Sequence, residues 1–173
     1  MAILEILVAP DPRLKKKSLP VTRFDDNVQK IIDDMVETLH STSNGVGLAA
    51  PQVGIHQRII IVEVGHHEDD EEVKLDPIVI INPHIVEEED EIVWEEGCLS
   101  LPDFTAEVTR SGWVKVAGKD RHNRDITVEG DGLLAVCLQH EIDHLDGILF
   151  VDHISMLKRR MILKKLKKLK NEA

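Results

Sequence analysis

The chain has 173 residues, of which 42% are hydrophobic and 31% are charged, and its formal net charge is −11. This size and composition fit one globular domain with its own core and exclude a disordered chain. No apolar run reaches the roughly 20 residues that a membrane-spanning helix needs. The opening MAILEILVAPDPRLKKK has its lysines after its apolar residues, the wrong order for a secretory signal, so we expect a cytoplasmic protein without membrane contact.

The first half of the chain predicts one helix followed by two strands. FDDNVQKIIDDMVETLHSTSNG has apolar residues at helical spacing, with Asp25 or Asp26 able to cap its start and Asn44-Gly45 able to end it. RIIIVEV and IVIINP are short and rich in β-branched residues, which is typical of buried strands. We interpret the acidic runs HHEDDEE, between those strands, and EEEDE at 87–91 as solvated loops.

The second half predicts two strands and then two helices. AEVTRSGWVKVAGKDRHNRDITVEG indicates two strands joined by a turn near Asn123. DGLLAVCLQHEIDHLDG predicts a helix from an N-cap at Asp131 to a stop at Gly147, buried because its first half is apolar on nearly all faces. Residues 155–170 predict a basic C-terminal helix. Strands and helices occur in separate runs, so we expect an α+β fold, as a single domain over 1–173.

The C-terminal segment also carries a distinct charge. From Lys158 onward there are eight basic residues and one acidic residue, although the chain as a whole is acidic. This asymmetry suggests one localised contact with an anionic partner. The alternative is an amphipathic helix that packs on the body and is flanked by lysines, and both can be true at once.

QHEIDH carries the strongest chemical signal. On a helix, His140 and His144 lie one turn apart on the same face, and His-Glu-x-x-His is a zinc-binding pattern in which the glutamate is the general base. Shuffled sequences of this composition contain the pattern in about 4% of cases, so the motif does not decide alone. The alternative is two core histidines satisfied by hydrogen bonds, with Glu141 at the rim of the helix.

A catalytic metal centre needs a third protein ligand. Cys137 is the nearest cysteine, but it lies about 7.5 Å along the helix axis from the level of a metal shared by the two histidines, too far for its short side chain. Cys98, in the irregular segment EEGCLSLP, is therefore the better candidate, with a buried structural cysteine as the alternative. A disulfide between the two cysteines is not expected in a reducing compartment.

NGVGLAAPQVG is a third notable stretch. Its glycines permit a close approach of the backbone, and Gln52 is a neutral donor of the kind that stabilises an oxyanion. Such a loop can also serve only to turn the chain.

Together, GVGLAAPQ, EGCLS and QHEIDH match in content and order the three motifs of the peptide deformylases, and the chain resembles this family over essentially its whole length. The resemblance implies the peptide deformylase fold, with antiparallel β-sheets around a central HExxH helix and with N-terminal and C-terminal helices. It implies hydrolytic removal of the formyl group from the N-terminal methionine of newly synthesised proteins, with release of formate. It also implies one divalent metal ion, usually Fe2+, for which Zn2+, Ni2+ or Co2+ substitutes.

The resemblance also assigns residues to roles. It implies that Cys98, His140 and His144 bind the metal and that Glu141 is the general base and acid for a metal-bound water that attacks the formyl carbon. The side chain of Gln52 and the backbone N–H of Leu99 are the implied oxyanion donors. The methionine pocket is implied to be lined by Val46, Gly47, Leu133, Val136 and Cys137, with Glu96 and His140 at its edge. Trp94, which comes shortly before EGCLS, is a further candidate neighbour of this pocket.

Some points stay open at this stage. Many family members carry Arg or Tyr where this chain has Thr105, so contacts with the peptide beyond methionine are undecided. Arg110, Glu96 and Asp143 form either an ion-pair group that orients the site or a pair on the surface. The basic helix resembles the part of bacterial members that docks on the ribosome, and we expect a monomer. A zincin-type peptidase and a non-catalytic metal- or ribosome-binding module are the competing functions.

Overall fold

The computed structural model describes residues 2–64 and 77–172, and this part of the chain forms five strands and three α-helices. The helices are α1 (Asp26–His40), α2 (Gly132–Leu145) and α3 (Met156–Glu172), and the strands are β1 (Gly47–Ala49), β2 (Ile59–Val62), β3 (Ile78–Cys98), β4 (Leu101–Lys119) and β5 (Asp125–Asp131). Short 3₁₀ helices occur at Pro12–Lys15, Ala50–Val53 and Phe150–His153. The predicted loop HHEDDEE lies outside the described residues. None of the described helices is long and apolar enough to cross a membrane.

The five strands form one antiparallel sheet in the order β1-β2-β3-β4-β5. β3 and β4 dominate it as a long hairpin that ends where Cys98 pairs with Leu101. The α+β prediction is confirmed, as are both strands of the segment around Asn123, which takes a left-handed turn conformation (φ 65°) between β4 and β5.

The interpretation of residues 87–91 as a loop is wrong. These residues belong to β3 and pair with β4, for example Glu87 with Lys115 and Glu89 with Trp113. All five acidic side chains are exposed to water, while the ladder satisfies the backbone polar groups, so charge at these positions is compatible with a strand. Asp90 has a positive φ of 62°, which marks a local irregularity in the strand.

α1 begins where the sequence predicts and ends earlier. The carboxylate of Asp25 accepts a hydrogen bond from the Val28 backbone N–H at 3.1 Å, so Asp25 is the N-cap. The helix ends at His40, before the predicted Asn44-Gly45, because the hydroxyls of Ser41 and Thr42 bond to carbonyls of its last turn. Its apolar face packs on β1 and β2 in a shared core.

α2 is the central buried helix, and ten of its 14 residues are buried. Leu138, Ile142 and Leu145 pack against strand residues that include Ile60 and Val114. Each fully buried side chain of this kind contributes about 1.5–3 kcal/mol, so this packing fixes the helix firmly against the sheet. Asp131 occupies the N-cap position without a side-chain capping bond.

The chain leaves α2 through a turn that only glycine fits. Gly147 has a φ of 74°, and a Cβ atom there would lie 2.3 Å from the carbonyl oxygen of Lys15. α3 then follows, with the Ser155 hydroxyl accepting from the Lys158 backbone N–H at 3.3 Å. Leu166 anchors α3 in a core with Leu7 and Phe150.

Candidate metal centre and substrate cleft

The two histidines of α2 point to one spot. Their Nε2 atoms lie 3.2 Å apart, and their rings meet edge to face with centroids 4.8 Å apart. Spacing by four residues on a helix produces this arrangement. Burial, with smaller effects of His140 and Arg110, lowers the pKa of His144 well below its ordinary value, which favours the neutral ring that a metal ligand requires.

Cys98 brings a sulfur atom to the same spot. It ends β3, directly after Gly97 and just before the turn into β4, and its Sγ lies 3.4 Å from Nε2 of His144. The ligand atoms of Cys98, His140 and His144 all lie within 4.8 Å of one another, and no other such group occurs in the part of the chain that the structure describes. One thiolate and two imidazoles fit Zn2+, Fe2+ and similar ions.

Cys137 lies outside this group of three. It is 6% exposed, and burial, with the charges of Glu141 and Glu96, raises the pKa of its thiol. A thiol held neutral in this way is a poor metal ligand and a poor nucleophile. The structure places it in the wall of the cleft beside the cluster.

A buried ion pair, Arg110 with Glu96, lies beside the cluster. Arg110 donates to Glu96 from Nε at 2.6 Å and from Nη2 at 2.9 Å, and these two residues are only 7% and 4% exposed. Arg110 also donates from Nη1 to Asp143 at 2.6 Å. The sequence left open whether these residues form a surface pair, and the burial excludes that alternative.

Glu96 also forms a hydrogen bond with a histidine of the cluster. Its Oε1 accepts from Nδ1 of His140 at 2.8 Å, so in the neutral ring the lone pair is on Nε2, the atom directed at the cluster. Burial opposes the charge of Glu96, but the hydrogen bonds from Arg110 and His140 outweigh it and lower its pKa to about 2. The carboxylate is therefore ionised at neutral pH and fixes the orientation of the ring.

Glu141 also faces the cluster, but its pKa is shifted in the opposite direction to that of Glu96. It is 3% exposed, and its Oε1 has no hydrogen-bond partner among the described residues. Burial, together with the nearby charge of Glu96, raises its pKa to about 7 against the attraction of His140. Gly47 lies so close that a Cβ atom there would be 2.5 Å from Oε2. A buried carboxyl without a partner and with a pKa near neutrality is typical of a group that accepts and donates protons.

Gln52 is oriented by contacts at both ends of its amide. Its Oε1 accepts from the Ala49 backbone N–H at 3.0 Å, so the NH₂ group must face the other way. That group donates to the buried Ser100 hydroxyl at 3.0 Å and lies 3.5 Å from Sγ of Cys98. Leu99, the second predicted oxyanion donor, lines the same cleft. Ser100, which directly follows Leu99, was not assigned a role from the sequence.

A cleft of about 660 Å³ opens above the cluster. All the residues predicted to line the methionine pocket border it: Val46, Gly47, Trp94, Glu96, Leu133, Val136, Cys137 and His140. A second part of the wall, Leu101–Thr105, follows Cys98 at the start of β4, and only Thr105 of this stretch was expected from the sequence to lie near the substrate. Thr105 donates from its hydroxyl to Glu95 at 2.9 Å, and no lysine or arginine of the described chain lines this cleft.

Comparison with known proteins gives a consistent result. The family model for polypeptide deformylase matches residues 3–160. A peptide deformylase of Helicobacter hepaticus is 50% identical over 173 residues, which is 100% of this chain and 95% of that protein. One from Thermodesulfovibrio yellowstonii is 51% identical over 167 residues, or 96% of this chain and 98% of that protein.

Solved structures agree with the sequence relatives. The crystal structure of a peptide deformylase from Legionella pneumophila has a TM-score of 0.87 and 45% identity, and the match covers 98% of this chain and 96% of that chain. The one from Ehrlichia chaffeensis has a TM-score of 0.91 and 37% identity, with coverage of 99% and 98%. The matching family model and the half-identical relatives along the whole chain show that this chain belongs to the peptide deformylases, metal-dependent hydrolases that remove the N-formyl group from newly made peptides.

Proposed function

We propose that Cys98, His140 and His144 hold one divalent metal ion for this deformylase reaction and that Glu141 transfers the proton. The convergence of the three ligand atoms within 4.8 Å, with His144 buried and Cys98 half-buried, carries the proposal. When bound, the metal supplies Lewis acidity that polarises the formyl carbonyl and lowers the pKa of a coordinated water. By the resemblance, Fe2+ is the ion that we propose, with Zn2+, Ni2+ or Co2+ as substitutes.

Glu141 has the properties that proton transfer requires. A pKa of about 7 lets its carboxylate accept a proton from the attacking water at neutral pH and return it to the departing amine nitrogen. Its free Oε1 is the atom that we assign to this transfer, since that atom has no competing partner among the described residues. No covalent intermediate with the protein is needed, so Cys98 serves as a ligand and not as a nucleophile.

Gln52 and Leu99 are proposed to stabilise the negative charge that develops on the formyl oxygen. The amide of Gln52 is already aimed at the cluster by its bonds to Ala49 and Ser100, so no reorganisation is needed when the charge appears. The backbone N–H of Leu99 is the second proposed donor. Removing a single donor of this kind costs about 10²–10³ in kcat.

The apolar part of the cleft is proposed to hold the methionine side chain. Val46, Leu133, Val136 and Cys137 supply its wall, and the neutral state of the buried Cys137 thiol suits an apolar lining. Gly47 leaves space beside Glu141 for the substrate backbone. The substrate that we propose for this pocket is a nascent chain that begins with formyl-Met.

The ligand assignment can be tested by exchanging each cysteine separately. In protein purified without oxygen and with its metal quantified, Cys98→Ala is expected to lose the metal and the release of formate. Cys137→Ala is the matched control, because it removes the other cysteine of the same cleft, and it is expected to retain the metal. The opposite pattern would overturn the choice of ligand.

Family membership sets aside the zincin and the non-catalytic alternatives, but a contact with the ribosome remains a proposal. Supporting it, α3 carries eight basic residues from Lys158 onward, and its Leu157 is 70% exposed. Ribosomal RNA is polyanionic, so binding would weaken steeply with salt. Co-sedimentation with ribosomes should fall for Lys164→Glu with Lys168→Glu and should persist for the control Lys30→Glu on α1. We further propose a cytoplasmic monomer with one domain over 1–173.

A further inference from the structure

The 3₁₀ helix Phe150–His153 lies against the proposed ligand His140, and neither Phe150 nor His153 lines the cleft. Phe150 is 1% exposed, and its ring stacks on that of His140 with centroids 6.4 Å apart and an angle of 27° between the planes. His153 ends the same short helix and turns toward α2. This segment therefore contacts the proposed ligand His140 through Phe150 and contacts Asp143 of α2 through His153, and the proposed proton transfer uses neither residue.

His153 contacts a carboxylate that Arg110 also binds. Its Nε2 lies 2.8 Å from Oδ2 of Asp143, the same oxygen that accepts from Nη1 of Arg110 at 2.6 Å. A carboxylate accepts hydrogen bonds only, so Nε2 of His153 must carry the proton. The 3.5 Å between Nε2 and Nη1 is then not a hydrogen bond, because both atoms are donors.

Further hydrogen bonds connect Asp143 to the proposed metal ligand His140. Arg110 uses Nη1 for Asp143 and uses Nε and Nη2 for Glu96, so its planar guanidinium is fixed at both ends. Glu96 in turn holds Nδ1 of His140 at 2.8 Å. Five side chains thus form one line of hydrogen bonds from the surface to a proposed metal ligand.

We propose that His153 is a positioning residue, which holds Asp143 and, through Arg110 and Glu96, fixes the ring orientation and the tautomer of His140. The inference rests on the proposed ligand role of His140. No metal ligand lies within two residues of His153, and none of its hydrogen bonds goes to one, so it acts only through the intervening side chains.

The exposure of the pair sets the size of the effect. The side chains of His153 and Asp143 are 35% and 21% exposed, while those of Arg110 and Glu96 are 5% and 3% exposed. Side chains that contact a metal ligand directly are typically worth 10- to 100-fold in metal affinity or activity, and His153 is further away and partly in water, so we expect about 3- to 10-fold. A surface pair without function would have no effect on either property.

The test compares two exchanges at this position in nickel-loaded protein. His153→Phe keeps a planar ring without a donor, while His153→Gln keeps a donor nitrogen where the histidine has Nε2. We expect His153→Phe to release nickel to a chelator about 3- to 10-fold faster and to lower kcat for a formyl-Met-Ala-Ser peptide by a similar factor, with KM unchanged. His153→Gln should restore both within about twofold, and the control His84→Phe, exposed on β3, should match the wild type.

A double-mutant cycle with Glu96→Gln tests the route. If the effect passes through Glu96, adding His153→Phe to Glu96→Gln should change nickel release by less than about twofold. The inference is overturned if His153→Phe matches the wild type, if His153→Gln is as impaired as His153→Phe, or if the two exchanges are additive. A wild-type protein that neither retains nickel nor releases formate would instead overturn the proposed ligand role, which is a distinguishable result.

Discussion

Gly47→Ala is expected to displace the proposed general base without unfolding the protein. The added Cβ would lie 2.5 Å from Oε2 of Glu141, 3.0 Å from its Cδ and 3.1 Å from its Cγ. Non-bonded heavy atoms prefer a separation of about 3.5 Å, so the carboxylate must move by about 1 Å. A misplacement of that size can reduce activity by about 100-fold.

The backbone itself tolerates this substitution. Gly47 lies in β1 and is not among the glycines with positive φ, so alanine adds no strain of the left-handed kind. We therefore expect kcat/KM for formate release to fall by about 10²-fold, with metal content unchanged and a loss of unfolding free energy below about 2 kcal/mol.

Formate release from a formyl-Met peptide, with metal content and urea unfolding measured on the same sample, is the assay. Gly112→Ala in β4 is the control, because its Cβ would also meet close neighbours, Cγ2 of Ile92 at 3.1 Å and Cβ of Asp90 at 3.3 Å, but it does not line the cleft. If Gly47→Ala kept more than about a third of the wild-type kcat/KM with metal bound, the positioning of Glu141 would not depend on this contact.

Three further predictions concern stability and selectivity. Glu96 has a pKa lowered to about 2, so it stabilises the fold above pH 4.5, and this contribution is lost as the pH falls toward 2; a shift of that size corresponds to about 3 kcal/mol. Between pH 5 and 2, the slope of the unfolding free energy against pH should thus be smaller for Glu96→Gln than for the wild type. The difference should correspond to the uptake of about one proton fewer on unfolding, and identical slopes would refute this. Gly147→Ala should cost about 2–4 kcal/mol in urea unfolding, because of its φ of 74° and the nearby Lys15 carbonyl, and a loss below about 1 kcal/mol would contradict this reasoning. Since Glu95 lines a cleft without lysine or arginine among the described residues, formyl-Met-Lys peptides should exceed formyl-Met-Glu peptides in kcat/KM by about 3-fold or more, and Glu95→Gln should reduce this ratio while Glu107→Gln outside the cleft should not.

The sequence predicted the parts of this molecule that repeat a local pattern. The helical periodicity and the Asp25 cap identified α1, and the apolar first half of DGLLAVCLQHEIDHLDG identified α2 as buried. The spacing of His140 and His144 also brought their rings together as predicted, because a helix fixes that geometry within a few residues. These features depend on short-range rules, which one sequence contains in full.

Features set by long-range pairing were harder to predict. The acids at 87–91 suggested a loop because composition does not reveal that β4 lies alongside and satisfies their backbone groups. The burial of Arg110 was undecidable for the same reason, since its partner Glu96 is 14 residues away on another strand. His153 gave no signal, because nothing in its local sequence shows that its short helix returns to Asp143.

The most direct test of the central claim is formate release by Glu141→Gln, measured together with the bound metal. Glutamine keeps the shape of the side chain and cannot act as a general base. The proposal predicts that this variant retains about one metal ion per chain through Cys98, His140 and His144, while kcat falls by about 10²–10⁴-fold. A Glu141→Gln protein with full metal and more than about a tenth of the wild-type kcat would contradict the assignment of proton transfer to Glu141.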